Sequence, residues 1–145
     1  MKSSHKLSDA VHILTYIELL PNDDLSSAAI ARSVESNPSL IRRLMSQLTQ
    51  AGLLTTQAGK ATPKLSRPAA TISLRDVLHA IDPAPQLLSI DDKTNPQCLV
   101  GGNIQQTLND VYEEVQTAAE AKMASISLQS IIDELLVHAA NKPTD

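Results

Sequence analysis

Aromatic residues are almost missing from this 145-residue chain, which has two tyrosines, Tyr16 and Tyr112, and neither tryptophan nor phenylalanine. Its core must therefore be aliphatic, and stacking of bases or sugars on aromatic platforms is largely excluded. Only four glycines are present, too few to favour a glycine-rich phosphate loop. A single cysteine, Cys98, excludes an internal disulfide and, within one chain, a multi-cysteine zinc or iron–sulfur site. No apolar stretch of the roughly 20 residues needed to span a bilayer occurs. The basic start, Met1 to Lys6, is not followed by an apolar run, because Asp9, His12 and Glu18 interrupt it, so no signal peptide is expected. The expected compartment is a reducing cytoplasm, with no membrane partner. No nucleophile elbow, paired cysteine or phosphate loop supports an enzyme, and the adjacent acids Asp91 and Asp92 fall in a proline-rich loop that solvent would reach. His5, His79 and His138 have no carboxylate or cysteine at ligand spacing. No metal and no cofactor are expected.

What is present is unevenly distributed. The net charge of −4 divides into +4 over residues 1–75 and −8 over residues 76–145. Residues 32–75 carry seven Lys/Arg against one acid, Glu35. One face of an acidic protein could thus meet a polyanion. The plainer reading is a solvated basic surface.

Apolar positions 7, 10, 11, 14 and 17 give a first helix ending before Pro21, with Ser8-Asp9 as a cap. Ser26 is a good N-cap for a short second helix from Ser27 to about Ser33, and Glu35-Ser36 forms a tight turn. Asn37-Pro38 is the clearest helix start in the chain, since asparagine caps and proline at the first helical position loses no hydrogen bond. On that third helix, Leu40, Ile41, Leu44, Met45 and Leu48 share one side. Ser39, Arg42, Arg43, Ser46 and Gln50 share the other, which has no acid. Residues 53–57 read as a strand. Residues 62–65 read as a weaker return strand, compromised by Pro63. Ser73 with Asp76 predicts a capping box opening a helix over 74–81. Residues 82–103 read as an irregular loop. A long helix follows over 104–123, whose apolar positions Ile104, Leu108, Val111, Val115 and Ala118 repeat at 4-3-4-3 spacing, the signature of packing along another helix. Its outside reads as acidic: Asp110, Glu113, Glu114 and Glu120. A last helix after Ser127 should bury Leu128, Ile131, Ile132 and Leu135. The triplet Ile-Ser-Leu occurs at 72 and again at 126, one helix-start device used twice.

This order defines a mainly α protein with a small β-hairpin: a winged helix-turn-helix domain over 1–81, a loop over 82–103 and dimerisation helices over 104–145. The stretches Leu7–Leu14, Ser26–Ala31, Asn37-Pro38 with Ile41-Arg42-Arg43-Leu44, and Ala51-Gly52-Leu53 resemble bacterial Rrf-type regulators. So do Ile72-Ser73-Leu74 and Asn95-Pro96-Gln97-Cys98-Leu99-Val100-Gly101 with Ile104-Gln105 and Leu108. This is the family of the iron–sulfur cluster regulator, the nitric-oxide-sensing repressor and the cysteine-metabolism repressor. The resemblance covers nearly the whole chain. It implies a dimeric transcription regulator, most simply a repressor, acting on double-stranded DNA. The third helix would enter the major groove, and the long helix would dimerise through Ile104, Leu108, Val111, Val115 and Ala118. Ser39, Arg42, Arg43 and Ser46 match the base-contacting positions. Asn37, Pro38, Ser26 and Ser27 stand at helix starts that could face phosphates, and Lys2, Lys60 and Lys64 would hold the backbone.

Two departures from the family pattern matter. Ala58 stands near the wing's arginine position and Ala61-Thr62-Pro63 replace its glycines, leaving Lys60 and Lys64 as wing cations. Cluster-binding members carry three cysteines before the long helix where this chain has Cys98 alone, which places it with the subgroup lacking a cluster. Cys98 is then a buried, inert thiol, a candidate redox or electrophile-sensing thiol, or a metal ligand. His12 stands where some cluster-binding relatives supply a ligand, and with one cysteine it reads as a structural histidine. A winged helix that docks an acidic protein surface instead of DNA is the alternative function. The effector is not legible.

Overall fold

The structure, a computed structural model, describes residues 4–57 and 60–143. Helix α1 (Lys6–Leu19) buries Ala10, Ile13, Leu14 and Ile17 along one stripe. It begins at His5 without a side-chain cap. Ser8 and Asp9 sit inside the helix, where Asp9 in the first turn favours the positive end of the helix dipole. Helix α2 (Ser27–Val34) starts where Ser26 Oγ accepts the Ala29 N–H at 3.2 Å. It stops at Glu35, which adopts the left-handed conformation at φ 58°. Helix α3 (Pro38–Gln50) starts on Asn37, whose Oδ1 accepts the Leu40 N–H at 2.8 Å. It ends as Gly52 turns at φ 80° and the Leu53 N–H returns to Leu48 O at 2.9 Å.

Strands β1 (Leu54–Gln57) and β2 (Lys60–Leu65) form an antiparallel hairpin pairing Leu54 with Leu65 and Thr55 with Lys64. The return strand starts two residues earlier than its sequence suggests. Pro63 is accommodated because both strands of a two-stranded sheet are edges. After a short 3-10 turn (Ala69–Thr71), helix α4 (Leu74–Ile81) opens with the anticipated capping box: Asp76 N–H to Ser73 Oγ at 3.0 Å and Ser73 N–H to Asp76 Oδ2 at 2.9 Å.

Helices α5 (Ile104–Ala124) and α6 (Leu128–Asn141) behave differently from each other. No residue of α5 is buried, and it rests on α4. Helix α6, grouped with α5 in the sequence division at residue 104, returns to the winged-helix head and packs on the 3-10 turn and α1. Its Leu128 and Ile132 join the same buried cluster as Ile13, Ile41, Leu44 and Ile72. Ile131 is only half-buried and Leu135 is exposed, so the inward stripe of α6 is narrower than its periodicity suggests. The repeated triplet explains the docking. Ser73 and Ser127 face each other in an antiparallel bridge, with Leu74 N–H to Ile126 O at 2.9 Å and Leu128 N–H to Ile72 O at 2.7 Å. Each Ile-Ser-Leu thus caps its own helix through serine and satisfies its partner's backbone.

Candidate nucleic-acid interface

Helix α3 is positioned by burial of Ile41, Leu44 and Leu48 and by half-burial of Leu40 and Met45. That fixes its rotation and turns Ser39, Arg42, Arg43, Ser46 and Gln50 to solvent. Arg42 donates to Ser39 Oγ at 3.1 Å, which holds its guanidinium along the outer face. Among the described residues, no carboxylate lies within ion-pair distance of Arg42, Arg43 or Lys64. The other wing-side cations differ: Arg67 is paired with Asp76 at 2.9 Å, and Arg75 reaches Glu120 at 3.5 Å. Lys64 is exposed on β2, beside exposed Thr55 and Thr62. Lys60 contributes its backbone to the hairpin, and Lys2 lies outside the described residues.

The start of α2 is less open to an anion than its serines suggest. Ser26 is exposed and Ser27 half-buried, but Ser26 Oγ is engaged as the cap, and the Ser26 N–H donates to Asp24 Oδ1 at 3.0 Å. That backbone hydrogen bond, followed by the Ser26 hydroxyl, holds the Asp24 carboxyl below its ordinary value. An ionised carboxylate therefore already sits at this helix end. Sequence reasoning missed it, although an acid two residues before a serine cap is a readable signal. Asn37 and Pro38 are exposed at the start of α3. His12 Nε2 lies 2.8 Å from Ser33 Oγ, tying α1 to α2 in the structural role its sequence suggests.

On α5, Ile104 and Leu108 are half-buried, while Val111 and Val115 keep 46% and 44% of their surface exposed, with Ala118 exposed beside them. Asp110, Glu113 and Glu114 face solvent. Glu120 does not, which corrects its placement on the acidic outside: only 16% of its side chain is exposed. It accepts from Gln116 Nε2 at 2.9 Å, meets His79 Nε2 and lies near Arg75. These partners, Gln116 first and His79 next, hold its carboxyl below the usual 4.5. Gln116 Oε1 in turn accepts the Leu87 N–H at 3.0 Å. One carboxylate thus fastens α4, the start of the loop and α5 together.

Cys98 is exposed, which removes the buried-thiol reading. Backbone N–H groups of Gly101 and then Val100 pull its thiol below the ordinary 9.0. The glycines make this turn feasible: a Cβ at Gly101 would stand 2.3 Å from Asn95 O, and one at Gly102 would stand 2.8 Å from Pro96 O. No helix among the described residues is long and apolar enough to cross a membrane.

A helix-turn-helix with a two-stranded wing, an acid-free outer face on its second helix and a long appended helix defines a winged-helix regulator. The comparisons with known proteins agree. The Rrf2 family, described as an iron-dependent transcriptional regulator, matches residues 3–134. The chain is 38% identical over 130 residues to YwnA of Bacillus subtilis (strain 168), which is named as an HTH-type transcriptional regulator; the match covers 90% of this chain and 96% of YwnA. A solved structure titled as a DNA-binding protein superposes with TM-score 0.71 at 38% identity, covering 88% of this chain and 98% of that one. CymR, titled the global cysteine regulator of B. subtilis, shares the fold at TM-score 0.62 and 16% identity, over 92% of this chain and 97% of its own. The chain belongs to the Rrf2 family and is a DNA-binding transcriptional regulator, not an enzyme. The family's iron is a separate matter. This chain's own donors do not fit an iron–sulfur cluster: it has one thiol, and no group of three or more His, Cys, Asp or Glu gathers among the described residues.

Proposed function

We propose that the protein is a homodimeric repressor that binds an inverted-repeat operator in the cytoplasm. The observation that carries this reading is the outer face of α3, where Ser39, Arg42, Arg43 and Ser46 are exposed and Arg42 and Arg43 have no carboxylate within ion-pair distance among the described residues. Guanidinium forks match guanine edges and phosphate oxygens. Arg42, Arg43 and Ser39 lie in the first two turns of α3, the part of a recognition helix that reaches base edges. Lys64, Lys60 and Lys2 set register on phosphates. Ser26, Ser27, Asn37 and Pro38 flank the backbone, with Asp24 opposing close approach at the first pair. The seam Ile104, Leu108, Val111, Val115 and Ala118 supplies the dimer contact, since half-exposed valines on a helix otherwise face water. Cys98, exposed and with a lowered pKa, is the candidate redox thiol.

Selection from a genomic DNA library with purified protein tests the reading. It should recover an inverted repeat whose half-sites lie roughly 34 Å apart or a multiple of that. Recovery of no common sequence, with binding to a protein partner undisturbed by DNA competitor, would replace it with the protein-docking function.

A further inference from the structure

We propose that Glu120 sets which spacing of operator half-sites the protein accepts, by fixing the angle between the reading head and helix α5. The inference rests on the homodimer reading and adds to it a specificity-determining residue away from the reading surface.

Helix α5 has two working sides. Val111, Val115 and Ala118 are exposed on one, whereas Leu108, Tyr112, Gln116, Ala119, Glu120 and Met123 are half-buried on the other. That second side carries the contact with α4. No residue of α5 is fully buried, so the apolar part of this joint is shallow, and apolar contact has no preferred direction. The directional contacts are polar, and they fall at two places. Just beyond the end of α5, the Leu74 N–H donates to Ile126 O at 2.9 Å. One tie fixes a position and leaves the angle free. The second tie is Glu120, six residues earlier and roughly 9 Å along the axis. Its Oε1 meets His79 Nε2 and lies 3.5 Å from Arg75 Nε, two groups one turn apart on α4. Its Oε2 accepts from Gln116 Nε2 at 2.9 Å. Gln116 Oε1 accepts the Leu87 N–H at 3.0 Å, so the chain leaving α4 joins the same cluster. Apolar residues could hold two helices together as firmly as this partly buried ionic set, whereas charge-assisted hydrogen bonds select one geometry.

The angle matters because α4 also packs on α3, where Gln47 Nε2 reaches Ile81 O at 3.5 Å. The path from the dimer seam to the recognition helix therefore runs from α5 through Glu120 to α4 and on to α3. Packed helix axes lie about 8–10 Å apart, so two such steps place α3 up to roughly 20 Å from α5. A change of about 10° at the joint then moves each α3 by about 3.5 Å and, by two-fold symmetry, alters the separation of the pair by up to about 7 Å. One base pair rises about 3.4 Å, so a loose joint would blur the spacing by one or two base pairs.

The test uses the inverted repeat recovered by genomic selection. Its half-sites are kept, its spacer is lengthened or shortened by one or two base pairs, and a further duplex carries a single half-site. The wild type should reject altered spacers by about tenfold or more, because the misfit must be taken up by deforming the DNA. Glu120→Ala should stay dimeric by light scattering, reject them by about threefold or less, and keep wild-type affinity and base preference on the single half-site. His79→Ala changes an exposed side chain on the other half of the joint and should relax the spacing in the same direction; it carries the comparison if Glu120→Ala does not fold. The two changes combined should relax it no further than Glu120→Ala does, since both act through one contact. Glu113→Ala, the same loss of charge at an exposed position of α5, should keep the wild-type preference. A dimeric Glu120→Ala that still rejects altered spacers, or whose affinity for the single half-site falls in step, overturns the role of Glu120 alone. A wild type monomeric at tens of micromolar, or one that selects no inverted repeat, overturns the homodimer reading and this inference with it.

Discussion

Single removals of positive charge should separate four of the seven basic residues that lie between residues 32 and 75. Lys64 is exposed and has no carboxylate partner among the described residues, whereas Arg67 and Arg75 face Asp76 and Glu120. Each substitution acts twice in a dimer. If Lys64 holds one phosphate per head, Lys64→Ala removes two contacts and flattens the slope of log affinity against log salt by about 1.8. Between 50 and 200 mM salt, that is about a tenfold smaller loss of affinity than the wild type suffers. The same loss should appear on operator and scrambled DNA. Arg43→Ala should behave differently, costing about 1–3 kcal/mol per half-site on the operator and relaxing preference at one base position. Arg67→Ala and Arg75→Ala should leave the slope unchanged, because their charges are already neutralised locally. Fluorescence anisotropy over a salt series with both duplexes reads all of this. If Arg67→Ala flattens the slope as much as Lys64→Ala, or Arg43→Ala weakens both DNAs equally, the assignment of α3 and the wing as the reading surface is wrong.

Three further outcomes follow from particular contacts. Asp24→Asn removes the carboxylate at the start of α2 and should tighten binding to any duplex, most at low salt; unchanged affinity at 50 mM salt would place that helix end away from DNA. Leu128→Ala empties a side chain that is 1% exposed and should cost about 2–5 kcal/mol. That lowers Tm by roughly 6–15 °C in calorimetry for a chain of this size, and a shift under about 3 °C would mean α6 is not part of the head's core. Glu120→Gln should lower Tm at pH 7. Because the folded-state carboxyl is held below 4.5, the wild type's advantage is fully present above that pH and disappears as pH falls through the lowered value. A Tm difference that stays constant from pH 7 to pH 3 would show that the charge on Glu120 contributes nothing.

The winged-helix head was legible because its signals are local. Asn37-Pro38 and Ser73 with Asp76 each satisfy orphan N–H groups within one turn, so sequence spacing alone places α3 and α4 at their observed bounds. The 3.6-residue period then fixes which side of α3 is buried and, by subtraction, which side meets solvent. The last helix was less legible. Its start at Ser127 is local, but its destination depends on residues 73 and 127 pairing across 54 positions of sequence, and no periodicity reports such a pairing. The Ile-Ser-Leu repeat was visible as two caps. That the caps also bridge each other is a tertiary fact.

The electrostatics of the site escaped for the same reason. Glu120 stands among acids on a helix that reads as acidic outside, and its pattern resembles that of Glu113 and Glu114. Only the approach of α4 gives it His79 and Arg75, residues 41 and 45 positions away. Asp24 was nearer to being read, since its bond to the Ser26 N–H spans two residues, yet a serine cap before a basic helix-turn-helix draws attention to phosphate rather than to an internal anion. Cys98 shows the limit of arguing reactivity from neighbouring side chains. The nearest cation in sequence is Lys93, but it is the backbone N–H groups of Gly101 and then Val100 that hold the thiol below its ordinary value, and backbone of any sequence but proline supplies such groups once it turns. What the sequence does hold is the condition for that turn. Gly101 and Gly102 sit where a Cβ would strike the carbonyls of Asn95 and Pro96, so the glycines, more than any charged neighbour, set the thiol's environment.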